Sequence, residues 1–331
     1  MIGSISKSLP LIVAAALTLV WPAAEALARG TGYIFVSSED DDVVTVLQGG
    51  SLKKVKDIHT AQRPRGMGFS PDHRFLYVAC GDGNSVDVID VAKLKDVDRL
   101  FVGEDPEAFD LSPDGKELYI SGEETSTMIA FSLKTKQPIG YVGVGPEPEG
   151  VLVAPDGKTV YVTSEVASMV HVIDTKSLAI KNNIIVGTRP RRLALTPDGK
   201  ELWVTNEIGG SISIIDTATN KVIEQIIFQP EGFRAEDITP VGIVMTKGGS
   251  TAYVAMGGAN HVAVIDVKSR EVTDYVLVGV RPWNVALTDD EETLYVANGL
   301  SDDLSVIDTD DLTVTRSVPV ARTPYAVAID D

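Results

Sequence analysis

Cysteine is nearly absent: Cys80 is the only one in 331 residues. This excludes a disulfide within the chain, a Cys-x-x-Cys-His haem attachment and any multi-cysteine metal centre. The lone thiol reads as a small apolar side chain. Basic residues are also scarce, with 29 Lys and Arg against 47 Asp and Glu and a formal charge of −18. Nucleic acids and anionic membrane surfaces call for the opposite balance, so neither is expected as a partner. The four histidines, His59, His73, His171 and His261, recur at no common interval and read as structural. A nucleophile elbow, a Ser/His/Asp spacing and a phosphate-cradling glycine loop are all missing. Beyond residue 28 no apolar run approaches the roughly 20 residues that cross a bilayer.

Residues 1–28 differ in kind from the rest. One cation, Lys7, precedes the apolar run Leu9 to Trp21, and small residues follow as Ala24-Glu25-Ala26 and Ala26-Leu27-Ala28. That is the layout of a cleaved secretory signal peptide, with cleavage after Ala26 or Ala28, and it predicts a periplasmic protein.

What the chain has in abundance is one repeated sentence. Pro64, Pro106, Pro148 and Pro190 stand 42 residues apart, Pro240 follows after 50, and Pro282 and Pro324 after 42 each. After each proline comes an apolar run, a turn such as Ser112-Pro113-Asp114-Gly115, and a strand such as Leu118-Tyr119-Ile120. A third strand follows, as in Val170 to Asp174, and usually a fourth ending in Val-Gly. The turn decays in the last two copies to Thr246-Lys247-Gly248-Gly249 and Thr288-Asp289-Asp290. The chain from 29 opens in mid-repeat at Tyr33, and the missing first strand stands at Thr323 to Ile329. Joining the two closes a ring and removes the open edge. The spacing therefore predicts an all-β fold: one seven-bladed β-propeller domain over 29–331, with four-stranded blades and a C-terminal strand completing the N-terminal blade. The eight extra residues between Pro190 and Pro240 fall in Phe228 to Asp237, a loop that is either functional or merely tolerated.

In this strand order, two sets of loops share one face. One set holds the prolines, flanked by Arg63/Arg65, Asp105/Glu107, Glu147/Glu149, Arg189/Arg191, Thr239/Val241, Arg281/Trp283 and Thr323/Tyr325. The other contributes Glu39, Gly81, Glu123, Glu165, Glu207, Gly257 and Gly299 at the same intervals. The candidate ligand- or partner-binding residues are Arg65, Glu107, Glu149, Arg191, Trp283, Tyr325, Glu123, Glu165 and Glu207. Two readings stay open: a charged pocket for a polar molecule, or a solvated rim whose charges neutralise one another. The tier Glu39, Glu123, Glu165 and Glu207 could supply oxygen ligands to a divalent cation, although nothing resembles a calcium loop.

Tyr295-Val296-Ala297-Asn298 followed by Val306-Ile307-Asp308 resembles the YVTN β-propeller repeat family. Glu147-Pro148-Glu149-Gly150, Arg189-Pro190-Arg191 and Trp203 to Gly210 narrow the likeness to exported propellers associated with pyrroloquinoline quinone (PQQ) dependent alcohol catabolism. That resemblance implies a PQQ-related ligand or a divalent cation, and a periplasmic dehydrogenase, cytochrome or transport component as partner. With no nucleophile–base pair or closed metal set in view, the expected function is a non-catalytic accessory protein. The alternatives are a propeller enzyme or redox protein, quinoprotein or haem d1-like, and a surface-layer or adhesion module.

Overall fold

The computed structural model describes residue 3 and residues 30–331, and apart from residue 3 the leader pattern lies outside the described residues. No helix among the described residues is long and apolar enough to cross a membrane. Seven four-stranded antiparallel sheets are arranged as a seven-bladed β-propeller. We number the blades from the N-terminus. Blade 1 is Pro324–Asp330, Tyr33–Ser38, Val43–Gln48 and Lys53–His59, and blades 2 to 7 begin at Pro64, Pro106, Pro148, Pro190, Pro240 and Pro282.

Each strand's sequence follows from its distance to the ring axis. The second and third strands lie between neighbouring blades and are covered on both faces. They are therefore buried along nearly their whole length, as in Glu201–Asn206 and Ser211–Asp216, rather than at alternate residues. The fourth strand is the outer edge. It is largely exposed, with a buried residue just before its end, such as Ile226 in Lys221–Ile227. The core is divided into seven apolar clusters, one at each junction between blades. Trp203 is fully buried at the junction of blades 5 and 6, its indole N–H donating to Glu201 at 3.1 Å. Cys80 is buried at the junction of blades 1 and 2, and burial pushes its thiol far above the ordinary range.

The turns that decay in sequence keep their geometry. Gly115 takes φ 66° and bonds back to Ser112, and Glu291 takes φ 64° and bonds back to Thr288 in the same way. The ring closes as the split repeat requires: Ile34 pairs with Ile329 and Val36 with Val327. Asp330 latches the seam, accepting from Thr31 N at 2.7 Å and Thr31 Oγ1 at 2.6 Å, with His73 of blade 2 at 2.8 Å.

Hydroxyls on the second strands of blades 1, 3, 4 and 5 tie each of these blades to the next. Ser37 donates to the carbonyl of Arg65 at 2.8 Å, Ser121 to Glu149 at 2.9 Å, Thr163 to Arg191 at 3.0 Å and Thr205 to Val241 at 2.7 Å. Blades approach so closely that a Cβ on Gly150 would lie 2.1 Å from the Arg191 carbonyl oxygen. Gly150→Ala should therefore destabilise the ring by about 1–3 kcal/mol, the usual range for overpacking. An unchanged melting temperature would show that the blades can separate there at no cost.

Candidate active site

The mouth face is built from the residue before each inner-strand proline. Arg63, Asp105, Glu147, Arg189, Arg281 and Thr323 all take φ between 46° and 59°, a region that non-glycine residues seldom occupy. In each case the carbonyl accepts the amide of the neighbouring loop tier: Gly81 to Arg63, Glu123 to Asp105, Glu165 to Glu147, Glu207 to Arg189, Gly299 to Arg281 and Glu39 to Thr323. In blades 2, 3, 7 and 1 the amide of the same residue is also caught, by the Asp42, Asn84, Asn260 and Asp302 side chains. Two ties hold the backbone fixed at these four residues. Thr239 keeps the carbonyl bond but not the positive φ, because the Phe228 to Asp237 insertion feeds into it.

On this frame the charges interlock. Arg191 lies 3.2 Å from Glu149 and 3.7 Å from Glu207, and contacts Glu165. Arg189 reaches Glu165 at 2.7 Å and Glu207 at 3.1 Å, while Arg281 reaches Glu207 at 2.6 Å. Arg65 contacts Glu107 and lies 3.6 Å from Glu39 and 3.9 Å from Glu149. Tyr325 donates to Glu149 at 2.9 Å, receives Arg192, and lies beneath the Arg65 guanidinium at 4.3 Å. The rim is not solvated: Glu107 is 0% exposed, Glu149 2%, Glu165 3% and Arg191 4%.

Burial and neighbours push these carboxyls apart. Burial alone would raise Glu149, but Arg191, Arg192 and Arg65 outweigh it and hold the group well below the usual range. Glu107 goes the other way, raised by burial and by the charge of Glu149. Glu165 is raised to about 7 by burial, against the opposing pull of Arg191. Divergent carboxyls in one site are how an acid and a base are set side by side. Glu165 also borders open space. Together with Glu147, Val166, Ser168, Thr188, Arg189 and Ile208 it lines a pocket of about 180 Å³ between blades 4 and 5.

The structure brings Arg65, Glu107, Glu149, Arg191 and Tyr325 together, with Glu165 and Glu207 joined through Arg189 and Arg191. Trp283 flanks them, with Arg281 at 4.2 Å and Arg191 at 5.6 Å over its ring. Glu123 joins the group at its edge, within 4.8 Å of Glu107 and 3.8 Å from Arg63. The tier Glu39, Glu123, Glu165 and Glu207 does not converge as one set: Glu39 lies by Arg65, Glu123 by Arg63, and only Glu165 and Glu207 share arginines, Arg189 and Arg191. Among the described residues, the one set of three possible ligands whose atoms all lie within 4.8 Å is Asp105, Glu107 and Glu123. Arg63 lies 3.0 Å from Asp105, contacts Glu107 and approaches Glu123, so a guanidinium already stands where a cation would sit. These residues do not fit a metal ion. A PQQ-type ring finds no better seat, since the Trp283 ring already carries two guanidiniums.

The list of nine omits Arg192. The columns betray it: its equivalents are Gly66, Ala108, Gly150, Gly242, Asn284 and Ala326, so one large cation stands where the ring otherwise carries small or neutral side chains. A Ser-His-Asn array also emerges, with Ser164 Oγ 2.9 Å from His171 Nε2 and His171 Nδ1 2.7 Å from Asn183. Blade symmetry identifies it as structural. Thr45–Asp57, Asp87–Arg99 and Ser213–Gln225 make the equivalent bond between third and fourth strands, and Ser164 is fully buried.

A family model described as Lactonase, 7-bladed beta-propeller matches residues 181–328, less than half of the chain. Among curated proteins no sequence matches. The fold is similar to the periplasmic gluconolactonase of Pseudomonas aeruginosa, at 18% identity over 90% of this chain and 99% of that one, TM-score 0.77. It is also similar to hydrazine synthase of Kuenenia stuttgartiensis (23% identity, 84% and 92% covered, TM-score 0.77). A third likeness is dihydro-heme d1 dehydrogenase NirN (17% identity, 90% and 75% covered, TM-score 0.68). At such identities the structural likenesses establish the propeller architecture. The lactonase match overturns the expectation of a non-catalytic accessory protein. The physical reason is that a nucleophile–base pair or a closed metal set leaves a pattern in sequence, whereas a buried carboxyl held near neutrality beside arginines leaves none.

Proposed function

We propose that this protein is an exported lactone hydrolase acting in the pocket between blades 4 and 5. The observation that carries the reading is Glu165: a carboxyl poised near 7, between two guanidiniums, at the wall of an open pocket. The volume is below the roughly 300 Å³ of drug-sized sites and suits a small ring. The family match supports the reaction class, and the leader pattern supports export.

In the reaction, the Glu165 carboxylate takes a proton from water as the water oxygen adds to the ring acyl carbon. The carbonyl electron pair moves onto oxygen, and the negative charge develops beside the Arg189 guanidinium. Collapse breaks the acyl C–O bond of the ring, and protonated Glu165 returns its proton to the departing alkoxide. One water is consumed and a hydroxy acid is formed.

The test is pH-stat hydrolysis of γ-butyrolactone and glucono-δ-lactone. A base works deprotonated, so the rate should rise with pH through a midpoint near 7. Glu165→Gln should lower it roughly 10²- to 10⁴-fold, the range for general-base catalysis. Hydrolysis no faster than the spontaneous reaction, or an unaffected Glu165→Gln variant, would overturn the proposal.

A further inference from the structure

The loop tier next to the glutamates divides the mouth face in two. Its seven positions read Asp40, Asp82, Glu124, Val166, Ile208, Gly258 and Leu300. Blades 1 to 3 thus present acids, and blades 4, 5 and 7 present aliphatic side chains, exposed at 62% for Val166, 61% for Ile208 and 69% for Leu300. Single exposed apolar residues need no explanation, but these stand at a pocket. Ile208 is common to two cavities. On one side is the Glu165–Arg189 pocket. On the other is a larger one of about 370 Å³, lined by Ile208, Gly209, Gly210, Ile227, Phe228, Ala235, Glu236 and Thr239.

The insertion makes this second cavity. Phe228 and Ile238 are buried in the core between blades 5 and 6 and pin both ends of the loop. Between them the short 3₁₀ turn Ala235–Asp237 is held by Arg234 bonding to Asp237 at 2.9 and 3.0 Å, and it roofs the space beside Ile227. Thr239 closes the inner end, bonded to Arg281 at 2.8 Å. The wall offers aliphatic and backbone surface, Glu236 at the rim, and no guanidinium.

We infer that this cavity is a subsite for an apolar arm on the substrate, so that the preferred lactones carry an alkyl or acyl chain that crosses Ile208 and lies under the insertion. This rests on the proposed lactone hydrolysis and names the substrate class for it. A polyhydroxylated ring would fill the first pocket and leave the second unused.

The experiment compares kcat/KM for γ-butyrolactone, γ-hexalactone, γ-octalactone and γ-decalactone, with glucono-δ-lactone as the polar control. Specificity should rise with chain length by roughly fourfold per methylene buried, the fold-change equivalent to about 0.8 kcal/mol each. Ala235→Trp, a change at an exposed site outside the first pocket, should flatten the series and leave γ-butyrolactone unchanged. A flat series in the wild-type protein, or a slope that survives Ala235→Trp, overturns the subsite while hydrolysis itself stands. Calorimetric titration of γ-decalactone into the Glu165→Gln variant reads the subsite without turnover. Binding there that Ala235→Trp abolishes supports the subsite even if catalysis is disproved, and no binding overturns it.

Discussion

A chain ending at Arg322 is expected to give no cooperatively melting ring and to accumulate as insoluble protein. The deletion removes the inner strand of blade 1, leaving Tyr33–Ser38 as an unpaired edge. It strips Val327 and Ile329 from the junction with blade 7, Ala328 from that with blade 2, and the Asp330 latch from both Thr31 and His73. Fully burying a large apolar side chain contributes about 1.5–3 kcal/mol. Of the side chains removed Tyr325 is fully buried and Val327 and Ile329 partly so, a loss that is a large share of the roughly 5–15 kcal/mol net stability of a whole domain. Tyr325 goes as well, and with it the donor to Glu149. Solubility and thermal melting of the truncated chain are the measurements, and a melting temperature near wild type would mean that closure does not hold the ring together.

The second large effect is expected from Arg191→Met. Removing one partner of a buried ion network strands the other, at a typical cost of about 3–5 kcal/mol. Here Glu149, Glu165 and Glu207 each lose one guanidinium and keep another, Arg192 for Glu149, Arg189 for Glu165, and Arg189 and Arg281 for Glu207, so the cost should fall toward the lower end of that range. Glu149→Gln/Arg191→Met should recover part of the loss, a non-additivity that a double-mutant cycle reads directly. The pH dependence fixes the sign. Glu149 is held below its ordinary value of 4.5, so its contribution is present above that value and is lost as pH falls through the depressed one. The penalty of Arg191→Met should therefore shrink in acid. A penalty independent of pH, or strictly additive with Glu149→Gln, would show that the pair is not coupled.

The ring was legible because each blade repeats the same local physics. Proline marks the start of the inner strand, and continuous apolar runs mark the strands covered on both sides. The split repeat at Tyr33 and Pro324 implies closure on its own. Even the insertion was located, though not its pinning by Phe228 and Ile238. The site was legible as two loop tiers and no further. Its decisive contacts join residues far apart in the chain, such as Tyr325 and Glu149 at a separation of 176. Periodicity puts such residues on one face without saying which arginine meets which carboxylate. Burial was invisible for the same reason: a glutamate at a loop position reads as solvated until six arginines are found packed among the acids. The raised carboxyl of Glu165 was missed with it, since its position near 7 depends on that burial.

The seam has a bearing on handling and on geometry at a surface. Tyr33 begins and Asp330 ends on the side of the ring opposite the loop tiers, and a Cβ on Gly30 would sit 2.7 Å from the carbonyl carbon of Asp331. Both ends of the ring thus emerge at one point on the far side. Whatever is joined to either end, be it a tether, a fused reporter or an immobilising resin, hangs from the back and leaves the mouth facing outward.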